Sequence, residues 1–168
     1  MGTSLSGLDA AMAVVMQHGR FSGEQFVVNK GSEGLNITLM SRSGVLPEAD
    51  FYCPIPYEPL SVLTESVAES EIAKGPDGLL DRIFALMVKE LELADPRWCQ
   101  AIAIGTLNAD TLRDVWFEDR KKHGPFTWAE ANLKEVERNK CEKRTVAWRY
   151  TVLRLHEVVQ AIVPSLNE

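Results

Sequence analysis

At 168 residues, 45% hydrophobic and 25% charged, the chain is long and apolar enough to bury a core of its own, unlike disordered chains or small folds stapled by disulfides or metals. Its 24 Asp and Glu outweigh 18 Lys and Arg, a net charge of −6 that works against general affinity for nucleic acid, and no apolar run approaches the ~18 residues of a membrane-spanning helix. Cys53, Cys99 and Cys141 lie far apart without a CxxC pair, and the N-terminus carries no secretory-signal pattern, so free thiols in the cytoplasm are the expectation.

Ser4 and Ser6 precede the apolar-periodic residues Leu8, Met12, Val15 and Met16, and His18-Gly19 closes them, so a helix opens the chain. Gln25 to Lys30, holding Phe26, Val27 and Val28, suits a strand. Leu35, Ile37 and Leu39 alternate with polar or flexible neighbours in the manner of a half-buried strand, with Gly31-Ser32-Glu33-Gly34 as a hairpin loop between the two. Phe51, Cys53 and Ile55 alternate once more, and Pro54, Pro56 and Pro59 confine that third strand to an edge. The pattern predicts a three-stranded antiparallel meander.

Past Pro59 everything reads as helix. Leu60, Leu63 and Val67 mark a short one ending near Gly75-Pro76, after which Asp77 is placed to cap the next. That next helix carries Leu79, Leu80, Ile83, Phe84, Leu86, Met87, Val88 and Leu91 on more than one face, the mark of the most buried helix. Asp95-Pro96 opens a segment with Trp98, Ile102 and Ile104 that stops at Gly105. Asp110 begins a helix with Leu112, Val115 and Trp116, closed by His123-Gly124-Pro125, and Thr127 to Glu130 forms a capping box for a polar helix to about Lys140. Trp148, Val152, Leu155, Val159 and Ile162 then follow the spacing of a narrow apolar seam, stopped by Pro164. The fold class is α+β: an N-terminal helix and meander over residues 1–58, then a mostly helical part over 59–168, within one domain. The opening order of helix and three strands, with the acidic stretch behind it, resembles type III secretion chaperones over about the first third of the chain; the helical remainder departs from that family.

Charge is unevenly spread. From Glu48 to Asp95 eleven acids face three bases, a net −8, whereas from Asp110 to Arg154 eleven bases face eight acids. With no convergent catalytic motif in view (no HExxH, GxSxG, GxGxxG or Walker pattern), the leading expectation is a non-catalytic protein-interaction domain, adaptor or chaperone-like. Its contact residues would be Glu65, Glu69 and Glu71, an exposed edge near Phe51–Ile55, and the seam residues Trp148, Val152, Leu155 and Val159, which also suit self-association into an oligomer. The alternative is a helix-turn-helix nucleic-acid binder built from helices at about 111–122, 128–140 and 144–163, with Lys140, Lys143, Arg144, Thr145 and Arg149 facing the duplex. An enzyme whose site is assembled from distant residues is the third class.

No cofactor or metal is expected. Asp119 and His123 share a helix face, yet no second pair of ligands stands at diagnostic spacing, and the cysteines read as small apolar fillers. Met1-Gly2-Thr3-Ser4-Leu5-Ser6 fits the short myristoylation consensus without a second anchoring signal, so a free N-terminus and no membrane association are expected.

Overall fold

The computed structural model describes residues 4–163, the Asp119 side chain excepted. These residues form a mixed fold of seven α-helices and one two-stranded antiparallel sheet: α1 (Leu5–Gln17), β1 (Gly19–Ser22), β2 (Gln25–Val28), α2 (Glu65–Ala73), α3 (Leu79–Ala94), α4 (Pro96–Ala101), α5 (Ala109–Lys121), α6 (Pro125–Cys141) and α7 (Ala147–Ile162). No helix among them is long and apolar enough to cross a membrane. The chain groups into two compact units, one of residues 1–49 and 120–133 and the other of 50–119 and 134–168.

In the first unit the Ser4 hydroxyl caps α1 by accepting from the Gly7 N–H. The sheet is a single hairpin in which Gly19 pairs with Val28 and Phe21 with Phe26, the two rings meeting edge to face. Gly23, at φ +63°, opens the two-residue turn where a hairpin needs positive φ. Gly19 is glycine for a different reason: a Cβ there would lie 2.6 Å from the Val27 carbonyl oxygen and against the Phe26 ring.

The hairpin replaces the expected meander. The turn falls at Gly23-Glu24 rather than Gly31–Gly34, and the segments at 35–39 and 51–55 carry no ladder. Leu35 and Ile37 instead line a pocket of about 280 Å³ with Val15, Phe26 and Val28, so their alternation serves side-chain packing. Ile55 is exposed between two prolines, which cannot donate to a ladder. In the same unit Arg120 pairs with Glu48 and lies over the Trp128 ring at 4.4 Å, and the Ala49 N–H donates to Asn132 Oδ1 at 2.9 Å.

The second unit packs α3 against α2, α4 and α7 around Leu60, Leu63, Ala68, Leu91, Cys99, Ile104, Leu155 and Ile162. From α2 onward the helix boundaries follow local chemistry, with four shifts from expectation. Thr64, not a residue near Leu60, caps α2. Gly78, left-handed at φ +65°, precedes α3, while the Asp77 carbonyl is taken by Arg82. Asn108 and Thr111 exchange side-chain and backbone hydrogen bonds at the start of α5, one residue ahead of Asp110. Pro125 occupies the first position of α6, leaving Thr127 inside the helix. The Asp95-Pro96 start of α4 forms as expected, with the carboxylate accepting from the Trp98 N–H at 3.1 Å.

The segment between Tyr57 and Leu63 has no regular structure, yet α3 and α7 hold both its ends. The Glu90 carboxylate, only 4% exposed, accepts from the backbone N–H groups of Ser61 (3.0 and 3.1 Å), Val62 (2.5 Å) and Leu63 (3.1 Å). From α7 the Tyr150 hydroxyl accepts from the Glu58 N–H, and Arg154 donates to the carbonyls of Glu58 and Pro59. Three backbone donors converging on one charged acceptor make Glu90 the residue whose loss is felt most, because each donor is left unpaired where little water reaches. Glu90→Ala is expected to destabilise the protein by about 3–5 kcal/mol and Glu90→Gln, which keeps one carbonyl acceptor, by about 1–3 kcal/mol, read as shifts in the urea midpoint at unchanged slope.

Candidate docking groove

The seam of α7 faces inward. Leu155 is 1% exposed, Ile162 is buried, and Val152 and Trp148 pack against the same core. Trp148 stacks on Trp98 at 4.7 Å, and Trp116 meets both edge to face at 4.8 and 6.0 Å. The stripe expected to face a partner therefore closes the unit's own interior at Trp148, Val152 and Leu155. Its half-buried member Val159 and the next turn, ending at Val163, border something else.

That feature is an open apolar groove of about 380 Å³. One wall is α7, where Val159, Ile162 and Val163 stand three and four residues apart and so share a face. The opposite wall is the first turn and a half of α3, with Leu79 and Ile83 in one row and Leu80 on the adjoining ridge; Ile72 of α2 and Pro76 close the end. Two residues stand well out of the protein: Leu80 at 64% and Val163 at 47% exposure. Helix α3 is thus not the uniformly buried helix expected from its composition. Its core face runs from Ile83 to Leu91, and at its N-terminal end Leu80 stands exposed beside half-buried Leu79.

The rim is acidic. Glu65 and Glu69 lie seven and three residues before Ile72 on the same side of α2, and both are exposed, as is Asp77 next to Pro76; Asp81, also exposed, falls on the side of α3 away from Leu79 and Ile83. Glu71 is set apart from its neighbours. Its carboxylate binds Lys74 at 2.6 Å and Arg82 at 2.9 Å, while Arg82 also donates to the backbone oxygens of Glu71, Gly75 and Asp77. The three acids expected to act together are divided: Glu65 and Glu69 face solvent, and Glu71 latches the α2–α3 turn. The two nearest cations are both engaged by it.

The basic residues of the nucleic-acid alternative are likewise separated. Lys140, Lys143 and Arg144 are exposed around the turn after α6, where Lys143 takes a left-handed φ of +51°. Thr145 is half-buried and precedes the start of α7 at Ala147. The Arg149 side chain is 12% exposed, 3.5 Å from Glu135 and over the Trp148 ring, so it lies within the unit. No group of three or more potential metal ligands gathers among the described residues, and the Asp119 side chain lies outside them, as do Met1 to Thr3 of the lipidation consensus and Pro164. All three cysteines are free; Cys99 is buried, and burial, with Glu92 and Asp95 adding to it, pushes its thiol up.

A helical unit with an acid-rimmed apolar groove is the class of structure these residues define. Residues 64–168, from the Thr64 cap of α2 onward, match the family described as the YdhS-like middle domain, and the chain belongs to that family. It is 62% identical over 173 aligned residues to Uncharacterized protein YdhS of Escherichia coli (strain K12), an alignment covering 100% of this chain and 32% of the relative. The chain thus spans about a third of that relative's length. No solved structure matches.

The groove end of the unit depends on the Glu71 latch, which gives it a pH signature. Lys74 first, and Arg82 after it, hold the Glu71 carboxyl below its usual range against the opposing effect of desolvation. A carboxyl depressed in the folded state contributes stability at neutral pH that is lost as pH falls through its folded pKa. In an NMR titration Glu71 is expected to protonate below the ordinary glutamate range, and Lys74→Met is expected to move its midpoint upward.

Proposed function

We propose that this chain is a non-catalytic protein-interaction domain that takes an amphipathic helical segment of a protein partner into the groove between α2, α3 and α7. The observation that carries this reading is the open apolar groove in which Leu80 and Val163 stand exposed and Leu79, Ile83 and Val159 are half-buried at the edge of the core. Grooves of this kind accept a helix through apolar anchors at i, i+3, i+4 and i+7. Charge complementarity selects among such helices. With Glu65, Glu69 and Asp77 exposed and Lys74 and Arg82 already paired, Lys or Arg flanking the anchors is favoured and an acidic helix is repelled. The rim sets partner choice and rate of encounter; the apolar contact supplies most of the hold.

The test uses a labelled 18-residue Leu/Lys amphipathic helix and its Leu/Glu counterpart, followed by fluorescence anisotropy. The Leu/Lys peptide is expected to bind at micromolar Kd and the Leu/Glu peptide at least roughly tenfold more weakly. Leu80→Asp is expected to weaken binding roughly tenfold or more, because it places a charge in the apolar contact. Leu93→Asp, at a 69% exposed leucine of the same helix that does not line the groove, is expected to leave binding unchanged. Equal binding by both leucine variants and wild type would overturn the assignment to the groove.

A further inference from the structure

Resting on that reading, we infer that the groove is an intramolecular dock: its occupant is a basic-flanked amphipathic helix belonging to the rest of the longer polypeptide in which this domain occurs. Three observations lead there. The family is described as a middle domain, and the E. coli relative devotes 32% of its length to the region shared with this chain, so about two thirds of that polypeptide flanks a domain of this kind. The groove lies within residues 72–163, wholly inside the matched region, so it is a property of the family's domain and not of the α1–hairpin part that precedes it. Along it Leu80 and Val163 are exposed beside half-buried Leu79 and Val159, so an apolar face opens next to an interior where Leu63, Leu91 and Leu155 are sealed. Apolar side chains presented as one continuous face are a liability for a free surface and an ordinary feature of a domain boundary.

A tethered helix also fits the modest size of the site. A single groove of this volume contacts only a few anchor side chains, which for two free molecules yields weak binding once the loss of translational freedom is counted. A linker removes most of that cost by raising the effective concentration to roughly millimolar, so a contact that is weak between separate chains is filled when its occupant is attached. The exposed carboxylates of Glu65, Glu69 and Asp77 then favour an occupant with Lys or Arg beside its apolar anchors.

Hydroxyl-radical footprinting with mass spectrometry on two proteins tests this: the 168-residue chain and the full-length E. coli relative. Oxidation at the positions of Leu79, Leu80, Ile83 and Val163 is expected to be roughly fivefold to tenfold slower in the longer protein, with the position of Leu93 unchanged. Asp at the position of Leu80 in the longer protein is expected to restore fast oxidation at the other three. Cross-linking from the rim carboxylates is expected to reach Lys residues outside the shared region, within one molecule. Equal oxidation in both proteins overturns the intramolecular dock, and so does protection of the 168-residue chain that grows with its own concentration, which assigns the groove to a second copy. Either result, combined with retained binding of the Leu/Lys peptide, leaves the interaction reading standing. Loss of that binding as well removes both.

Discussion

The second unit depends on how its least regular segment is held. Residues 57–63 enter the core with Leu60 and Leu63, and a backbone run into an apolar interior brings donors that must be paired. Glu90 supplies the acceptor. A carboxylate is the one side chain able to receive several N–H groups at once, and its own desolvation is offset by those donors. Tyr150 and Arg154 do the complementary work from α7, so the segment ties α3 to α7 through its backbone as well as its side chains. Thr64 then starts α2 where the clamp ends. The positions of α2, α3 and α7, and hence the groove among them, follow from that clamp.

The same logic explains why the groove stays open. Helix α2 has nine residues, too short to run the length of the sixteen-residue α3 and α7. It turns back at Gly75-Pro76, where Arg82 gathers the freed carbonyls of Glu71, Gly75 and Asp77. Past that turn, Leu79 and Ile83 line the groove with Ile72 of α2 and Val159 of α7, while Leu80 stands exposed. An apolar row continues beyond the element that would have covered it.

Much of the architecture was legible. The Ser4 start of α1, the Asp95-Pro96 start of α4 and the seam of α7 all formed where local chemistry and periodicity put them. The meander was misread because alternation reports only that one side of a segment is apolar. Leu35 and Ile37 satisfy it by lining a pocket, whereas the true partner of β2 is the four-residue Gly19–Ser22, too short to show a period and hidden behind the signal that ends α1. The Thr127–Glu130 capping box lost to Pro125, whose fixed φ begins a helix three residues sooner.

The site was half legible. Of the residues singled out from the sequence, Val159 lines the groove, and Glu65 and Glu69 are exposed on α2. Grouping Glu71 with the other acids failed because charge counting along a sequence ignores pairing in space, and Glu71 meets Arg82 eleven residues away. The seam was assigned outward because a narrow stripe is usual for a helix pairing with another chain, yet three tryptophans from α4, α5 and α7 fill its upper half. The telling signal lay in α3, with more apolar residues than one face of a sixteen-residue helix accommodates. Such a surplus has two outcomes, complete enclosure or a second apolar contact. With α2, α4 and α7 packed against it, α3 is still not enclosed on every side, so part of the apolar excess at its N-terminal end becomes surface. That geometric limit, more than the charge pattern, accounts for the exposure of Leu80.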